Sequence, residues 1–171
     1  MSWTYNSKTG LMTGLPYYPS PNCNARPGET LIDLLVIHGI SLPRGEFGGP
    51  AVIELFTNQL DCCPNSIFAY LEGLKVSAHL FLRRDGSLLQ FVPLHLRAWH
   101  AGKSAFQGRE NCNDYSIGLE LEGTDDQPYT ESQYRELEKL IDFLQQIYPA
   151  ITADRIVGHA DIAPGRKTDP G

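Results

Sequence analysis

The stretch SIGLELEG, residues 116–123, constrains the fold more than any other part of the chain. Ile117, Leu119 and Leu121 alternate with Gly118, Glu120 and Glu122, a period of two that a β-strand converts into separate faces. Three large apolar side chains go to one side and both carboxylates to the other. Such a strand needs neighbours in a sheet and a layer packed on its apolar face. LIDLLVI (31–37), rich in branched apolar residues, reads as a buried strand that delivers His38 at its C-terminal end. VSAHLFLR (76–83) and SLLQFVP (87–93) flank Asp85-Gly86, a two-residue turn, and read as a β-hairpin. RIVGH (155–159) is one more short strand.

For the covering layer, Tyr134, Leu137, Ile141, Leu144 and Tyr148 recur at three- and four-residue spacing between a Thr130/Gln133 capping box and Pro149. A second helix is expected over about residues 51–60, with Pro50 at its first turn. The expected class is therefore α+β, a central mixed β-sheet flanked by helices on its faces. Strand order is not legible from these signals. Residues 1–30, rich in Pro, Asn, Ser and Gly, read as an extended N-terminal arm, and residues 31–171 as one domain.

Composition narrows the class of function. A chain of 171 residues buries roughly 70% of its unfolded surface and needs no disulfide staples. Cys23, Cys62, Cys63 and Cys112, two of them adjacent, read as reduced thiols of a cytosolic protein. Fourteen Lys and Arg against 20 Asp and Glu give a net charge of −6, which argues against a sequence-independent nucleic-acid binder. No run approaches the ~20 apolar residues of a membrane-spanning helix. MSWTYNSKTGLMTG at the start carries no apolar core of a secretory signal, so the expected location is the cytoplasm.

Five histidines can be weighed singly. His38 and His159 each follow an apolar strand, a position from which a side chain reaches a rim pocket. Asp169 lies ten residues beyond His159, across a loop holding Pro164, Gly165 and Pro170 that can fold back on the imidazole. Two imidazoles, one carboxylate and an open fourth position are what a catalytic zinc requires. Asp161 competes with Asp169 for the carboxylate position. Glu120, on the polar side of its strand among apolar neighbours, is a candidate general base, with Glu122 as its rival on the same face. Lys167, two residues before Asp169, would lie close to any metal there and could stabilise an oxyanion, whereas Arg166-Lys167 could equally be a solvated loop pair. His79, inside its strand, reads as structural packing, and His95 as a surface residue. Trp99, with His100 beside it, reads either as a cleft wall or as core.

VIHGISLPRGEFGGP (36–50), VSAHLFLRRDG (76–86), RAWHAGKSAFQGRENCNDYSIGLELEG (97–123) and GHADIAPGRKTDPG (158–171) together resemble the successive signature blocks of the AmpD-type 1,6-anhydro-N-acetylmuramyl-L-alanine amidases. These belong to the wider zinc amidase and peptidoglycan-recognition family. The resemblance runs from about residue 16 to the last residue. It implies one catalytic Zn2+ held by His38, His159 and Asp169, with Glu120 as general base and Lys167 stabilising the oxyanion. It also implies a central mixed sheet with the zinc cleft at one edge. Trp99 and His100 then fall on the substrate-cleft wall.

Two departures bear on substrate contacts. Gly39 stands where those enzymes commonly carry Asn, and Lys75 where they often carry Arg, which loses a bidentate fork. The chain also stops two residues past Asp169, where relatives continue. The resemblance implies a cytoplasmic, monomeric enzyme that cleaves the lactyl–L-alanine amide of anhydromuropeptides during wall recycling. In bacteria with that circuit, this also keeps inducers of β-lactamase low. The alternatives are an amidase acting on intact peptidoglycan, a non-catalytic peptidoglycan-recognition module and a metal-regulated binding protein.

Overall fold

The protein is described by a computed structural model covering residues 3–171. Its central sheet is built from β1 (Leu34–Ile40), β2 (Leu80–Leu82), β3 (Leu88–Gln90), β4 (Ser116–Glu122) and β5 (Ile156–Gly158). Three helices accompany it: α1 (Ala51–Phe56), α2 (Glu131–Ile147) and α3 (His159–Ile162). The strand order is β5-β1-β4-β2-β3. β5, β1, β4 and β2 run parallel, and only β3, the far arm of the hairpin turned at Gly86, is antiparallel. The fold is α+β with a mixed sheet.

β4 pairs with β1 along its whole length, and this register sets Glu120 opposite His38. Ile117, Leu119 and Leu121 join Leu35, Leu80 and Leu82 under Leu140 and Leu144 of α2. On the opposite face Leu34 and Val36 pack with Tyr115 and Ile162. A third cluster gathers Val52, Leu55 and Phe56 of α1 over Phe81 and Leu89. All seven residues of β4 are buried, so the face carrying the carboxylates is covered as well.

Several expected boundaries move for physical reasons. β1 begins at Leu34 and continues to Ile40, so His38 lies inside the strand and not beyond its end. α1 stops at Phe56, because the Thr57 hydroxyl turns back onto the Ile53 carbonyl and Asn58 takes a left-handed conformation. Of VSAHLFLR only Leu80–Leu82 is regular strand. Ser77 N–H instead reaches the Trp99 carbonyl, and His79 N–H the Gly118 carbonyl. The helix α2 keeps its capping box, with Thr130 Oγ1 accepting from Gln133 N–H and Gln133 Oε1 from Thr130 N–H. Its buried stripe centres on Leu140 and Leu144, while Tyr134, in the first turn, is 52% exposed with its ring edge-on to Tyr129.

Residues of the first thirty cover what would be an open sheet edge. Tyr18 N–H donates to the Gln90 carbonyl and Gln90 N–H to the Pro16 carbonyl, which closes β3 against further pairing. Arg26 is sunk into the domain, its guanidinium donating to the carbonyls of Asn113, Asp114, Leu94 and Ser116. All four cysteines are free.

Candidate active site

Three parallel strands bring side chains to one end of the sheet. His38, on the face shared by Leu34 and Val36, is buried, and His159 is the first residue of α3, directly after β5. The loop beyond α3 folds back as its spacing predicts, with Ala160 N–H donating to the Asp169 carbonyl. His38 Nδ1 and His159 Nδ1 lie 2.9 Å apart, and Asp169 Oδ2 is 3.0 Å from His159 Nδ1 and 3.5 Å from His38 Nδ1. Among the described residues, these three side chains are the one group of His, Cys, Asp or Glu whose ligand atoms converge, all within 4.8 Å.

The proton inventory of that nest fits a cation. His159 Nε2 is 3.2 Å from the Ala101 carbonyl, which only accepts, so Nε2 carries the ring proton and Nδ1 presents a lone pair. Burial pushes the His38 imidazole down to about 4, outweighing the hydrogen bond with Asp169 that favours its charged form. Burial alone would raise the Asp169 carboxyl, but the His159 and His38 rings beside it, each a donor in its protonated form, hold it well below the usual carboxylate range. Unprotonated imidazole and ionised carboxylate facing one point are the donor set of a borderline-soft divalent ion, zinc foremost.

Both open choices in the sequence have a physical reason behind them. Asp161 Oδ2 accepts from Gly158 N–H at 2.7 Å, capping α3, and stays outside the nest. Glu122 accepts from Gly48 N–H at 2.6 Å and Arg84 N–H at 3.0 Å, so its carboxylate anchors two loops. Glu120 differs. Burial, reinforced by the Asp169 charge and opposed by Lys167, lifts its carboxyl from 4.5 to about 8. That range suits a group that takes up and releases a proton near neutrality.

A cavity of about 520 Å³ opens over the nest, and His38, His159, Asp169, Glu120, Lys167, Gly39, Lys75, Trp99 and His100 all border it. Their parts in it are unequal. The indole N–H of Trp99 donates to Asn24 Oδ1 at 2.7 Å. Lys75 stands on the exposed rim beside Tyr70 and Leu74. Gly39 contributes backbone only, and a Cβ there would come within 2.7 Å of the Tyr129 hydroxyl, so a side chain at this position needs that ring to give way. His100 is not a free wall residue, because His38 Nε2 and Ser116 Oγ take both of its ring nitrogens.

His79 is packing, as expected, although it lies just before the regular strand. Its Nδ1 accepts from Gly118 N–H, and its Nε2 meets the Leu96 carbonyl. His95 is exposed. Sequence reasoning missed Arg166 as a structural clamp: its Nη2 donates to the carbonyls of Ala101 and Lys103, each at 2.7 Å, joining the two loops that border the nest. It also missed the apolar wall of Leu42, Leu55, Tyr70 and Leu74, half of which comes from irregular chain and one residue from a single 3-10 turn, with no periodic signal.

Comparison with known proteins supports the resemblance over most of the chain. The family model described as N-acetylmuramoyl-L-alanine amidase matches residues 28–171. The 1,6-anhydro-N-acetylmuramyl-L-alanine amidase AmpD of Escherichia coli is 52% identical over 162 residues, covering 95% of this chain and 88% of that protein. A crystal structure of a selenomethionine derivative of AmpD superposes with a TM-score of 0.93 at 49% identity, covering 98% of this chain and 92% of that one. The amidase AmiD of Escherichia coli, solved with anhydro-N-acetylmuramic acid-L-Ala-D-γ-Glu-L-Lys, has a TM-score of 0.60 at 30% identity, covering 85% and 56%.

Proposed function

The chain belongs to the N-acetylmuramoyl-L-alanine amidase family and is an amidase of that kind, and from that premise we propose that it is a cytoplasmic zinc enzyme of wall recycling. Its proposed reaction is hydrolysis of the amide between the muramyl lactyl group and L-alanine in soluble 1,6-anhydromuropeptides. The observation that carries this reading is the convergence of His38 Nδ1, His159 Nδ1 and Asp169 Oδ2 beside a buried Glu120 in one cavity. The substrate class is favoured by the identity to AmpD and by the muropeptide bound to the related AmiD. Four free thiols accord with a reducing compartment, and no helix of the described residues is long and apolar enough to cross a membrane.

His38, His159 and Asp169 would hold the zinc. The chemistry zinc contributes in such a nest is Lewis-acid polarisation of a carbonyl and acidification of water. Glu120, buried beside the nest, takes the proton from the attacking water and returns it to the departing L-alanine nitrogen. The Lys167 ammonium, on the loop that carries Asp169, stabilises negative charge on the former carbonyl oxygen. Trp99 and the rim at Tyr70 and Leu74 offer apolar surface to a sugar or peptide, with Lys75 a cation at the mouth.

Zinc analysis with paired assays on soluble anhydromuropeptide and intact labelled wall tests this reading. Activity should vanish with chelator, return with zinc and favour the soluble substrate. Glu120→Ala should keep its zinc and lose most turnover, whereas His38→Ala should lose the metal. Release from intact wall as fast as from the soluble substrate would overturn the recycling assignment. A near-normal rate for Glu120→Ala would remove Glu120 from the mechanism.

A further inference from the structure

Behind His38, on the side away from the other two ligand atoms, lies a buried file of polar groups that the reaction does not touch. His38 Nε2 is 2.8 Å from His100 Nδ1, His100 Nε2 is 3.1 Å from Ser116 Oγ, and Ser116 Oγ is 2.6 Å from the Cys112 carbonyl. The file has one end that cannot be reversed. A carbonyl oxygen only accepts, so the single hydroxyl proton of Ser116 points at Cys112. Ser116 Oγ must then accept from His100, which places a proton on His100 Nε2 and leaves His100 Nδ1 bare. A bare Nδ1 in turn accepts from His38 Nε2–H, and a neutral His38 protonated at Nε2 has its lone pair on Nδ1, the atom that faces His159 and Asp169.

The surroundings leave His100 little freedom to break this order. The N–H groups of His100 and Ala101 both donate to Asn113 Oδ1, at 3.1 and 2.8 Å. The ring lies flat on Gly118, where any Cβ would come within 2.5 Å of His100 Cγ. Glycine at 118 is thus needed for the imidazole to reach His38, and Ser116, two residues earlier on the same face of β4, is in place to receive its far nitrogen.

We propose that His100 is a positioning residue: anchored through Ser116 to the Cys112 carbonyl, it selects the Nε2–H tautomer of His38 and so presents Nδ1 to a divalent metal. The inference rests on the metal reading above and adds to it a cause for the availability of that lone pair. Partners that orient a ligating histidine in this way typically account for roughly 10- to 100-fold in metal affinity.

The test uses the full chain, with zinc affinity measured by competition with a chromophoric chelator and histidine tautomers read from long-range 1H–15N correlation spectra of the metal-free protein. Wild type should show His38 protonated at Nε2. His100→Leu removes the acceptor and should weaken zinc binding by roughly 10-fold or more, with His38 shifting toward the Nδ1–H form. His100→Asn, whose side-chain oxygen can stand near the former Nδ1, should recover most of the affinity. Ser116→Ala should give a smaller loss with a mixed tautomer population, and it decides the matter alone if His100→Leu does not fold. Zinc affinity within twofold of wild type in His100→Leu, or an unchanged His38 tautomer in Ser116→Ala, overturns the proposal. Failure of the wild type itself to bind zinc would instead defeat the metal reading.

Discussion

Replacing Glu120 with glutamine should stabilise the metal-free protein, and the gain should grow with pH. The side chain is buried, and its carboxyl sits at about 8 where an unfolded chain would have it at 4.5. A carboxyl raised in this way holds its proton more tightly in the folded state than in the unfolded one. Its favourable contribution is complete below pH 4.5 and is lost as pH rises through about 8. At about 1.4 kcal/mol per pH unit across that interval, the ionised side chain comes to cost on the order of 5 kcal/mol near pH 9. Glutamine keeps the shape without the charge. Urea unfolding of chelator-treated wild type and Glu120→Gln at fixed ionic strength, from pH 5 to 9, isolates the effect, because the other titrating groups are common to both. The difference should start near zero and climb to several kcal/mol in favour of the variant. Zinc should shrink it, since a nearby cation favours the ionised carboxylate. A difference that stays flat within about 1 kcal/mol across the range would refute the reasoning, for the carboxylate would then ionise in place without penalty.

Two further substitutions probe carboxylate and cation partners away from the nest. Glu122→Ala takes the acceptor from two N–H groups, of Gly48 and the half-buried Arg84, and should cost about 1–3 kcal/mol, a fall in Tm of roughly 3–10 °C by calorimetry. Zinc affinity should change little, and an unaltered Tm would contradict the anchoring role. Arg26→Met leaves four carbonyls without their donor and should cost about 3 kcal/mol or more, with Arg26→Lys recovering part of it. Equal melting temperatures for all three proteins would mean that Arg26 does not tie the first thirty residues to the domain.

What the sequence made legible was periodicity. β4 and α2 were readable because their spacing of apolar residues is unambiguous over seven and seventeen residues, and the capping box marked the start of α2. Where hydrogen bonds go to scattered partners, pattern reading failed. Residues 76–79 look like strand but bond to Trp99 and Gly118 one at a time, and Tyr134 continues a helical stripe past the part of the helix that the core covers. The same limit governs the site. His38, His159 and Asp169 stand out by type and by position beside strands and a loop. Glu120 and Glu122, two residues apart on one face, are indistinguishable by pattern, as are Asp161 and Asp169 by residue type. What separates each pair is an N–H group that claims one member, Gly48 and Arg84 for Glu122 and Gly158 for Asp161. His100 shows the same limit: it borders the cavity as a wall residue would, but its bonds to His38 and Ser116 and its contact with Gly118 leave no pattern in the sequence.

The relation between the two glutamates carries a structural consequence. Sliding β4 by one residue against β1 would turn Ile117, Leu119 and Leu121 to the wrong face, so hydrophobic burial forbids it. Sliding it by two residues preserves both faces and would set Glu122 or Gly118 opposite His38, an error that burial alone does not penalise. Glu122 does penalise it. Its two oxygens accept from Gly48, just ahead of α1, and from Arg84, in the turn of the hairpin, and any slip of two residues would break both bonds to this buried carboxylate, at roughly 1 kcal/mol or more each. The carboxylate that takes no part in the proposed chemistry therefore holds the register that keeps the proposed base beside the first metal ligand.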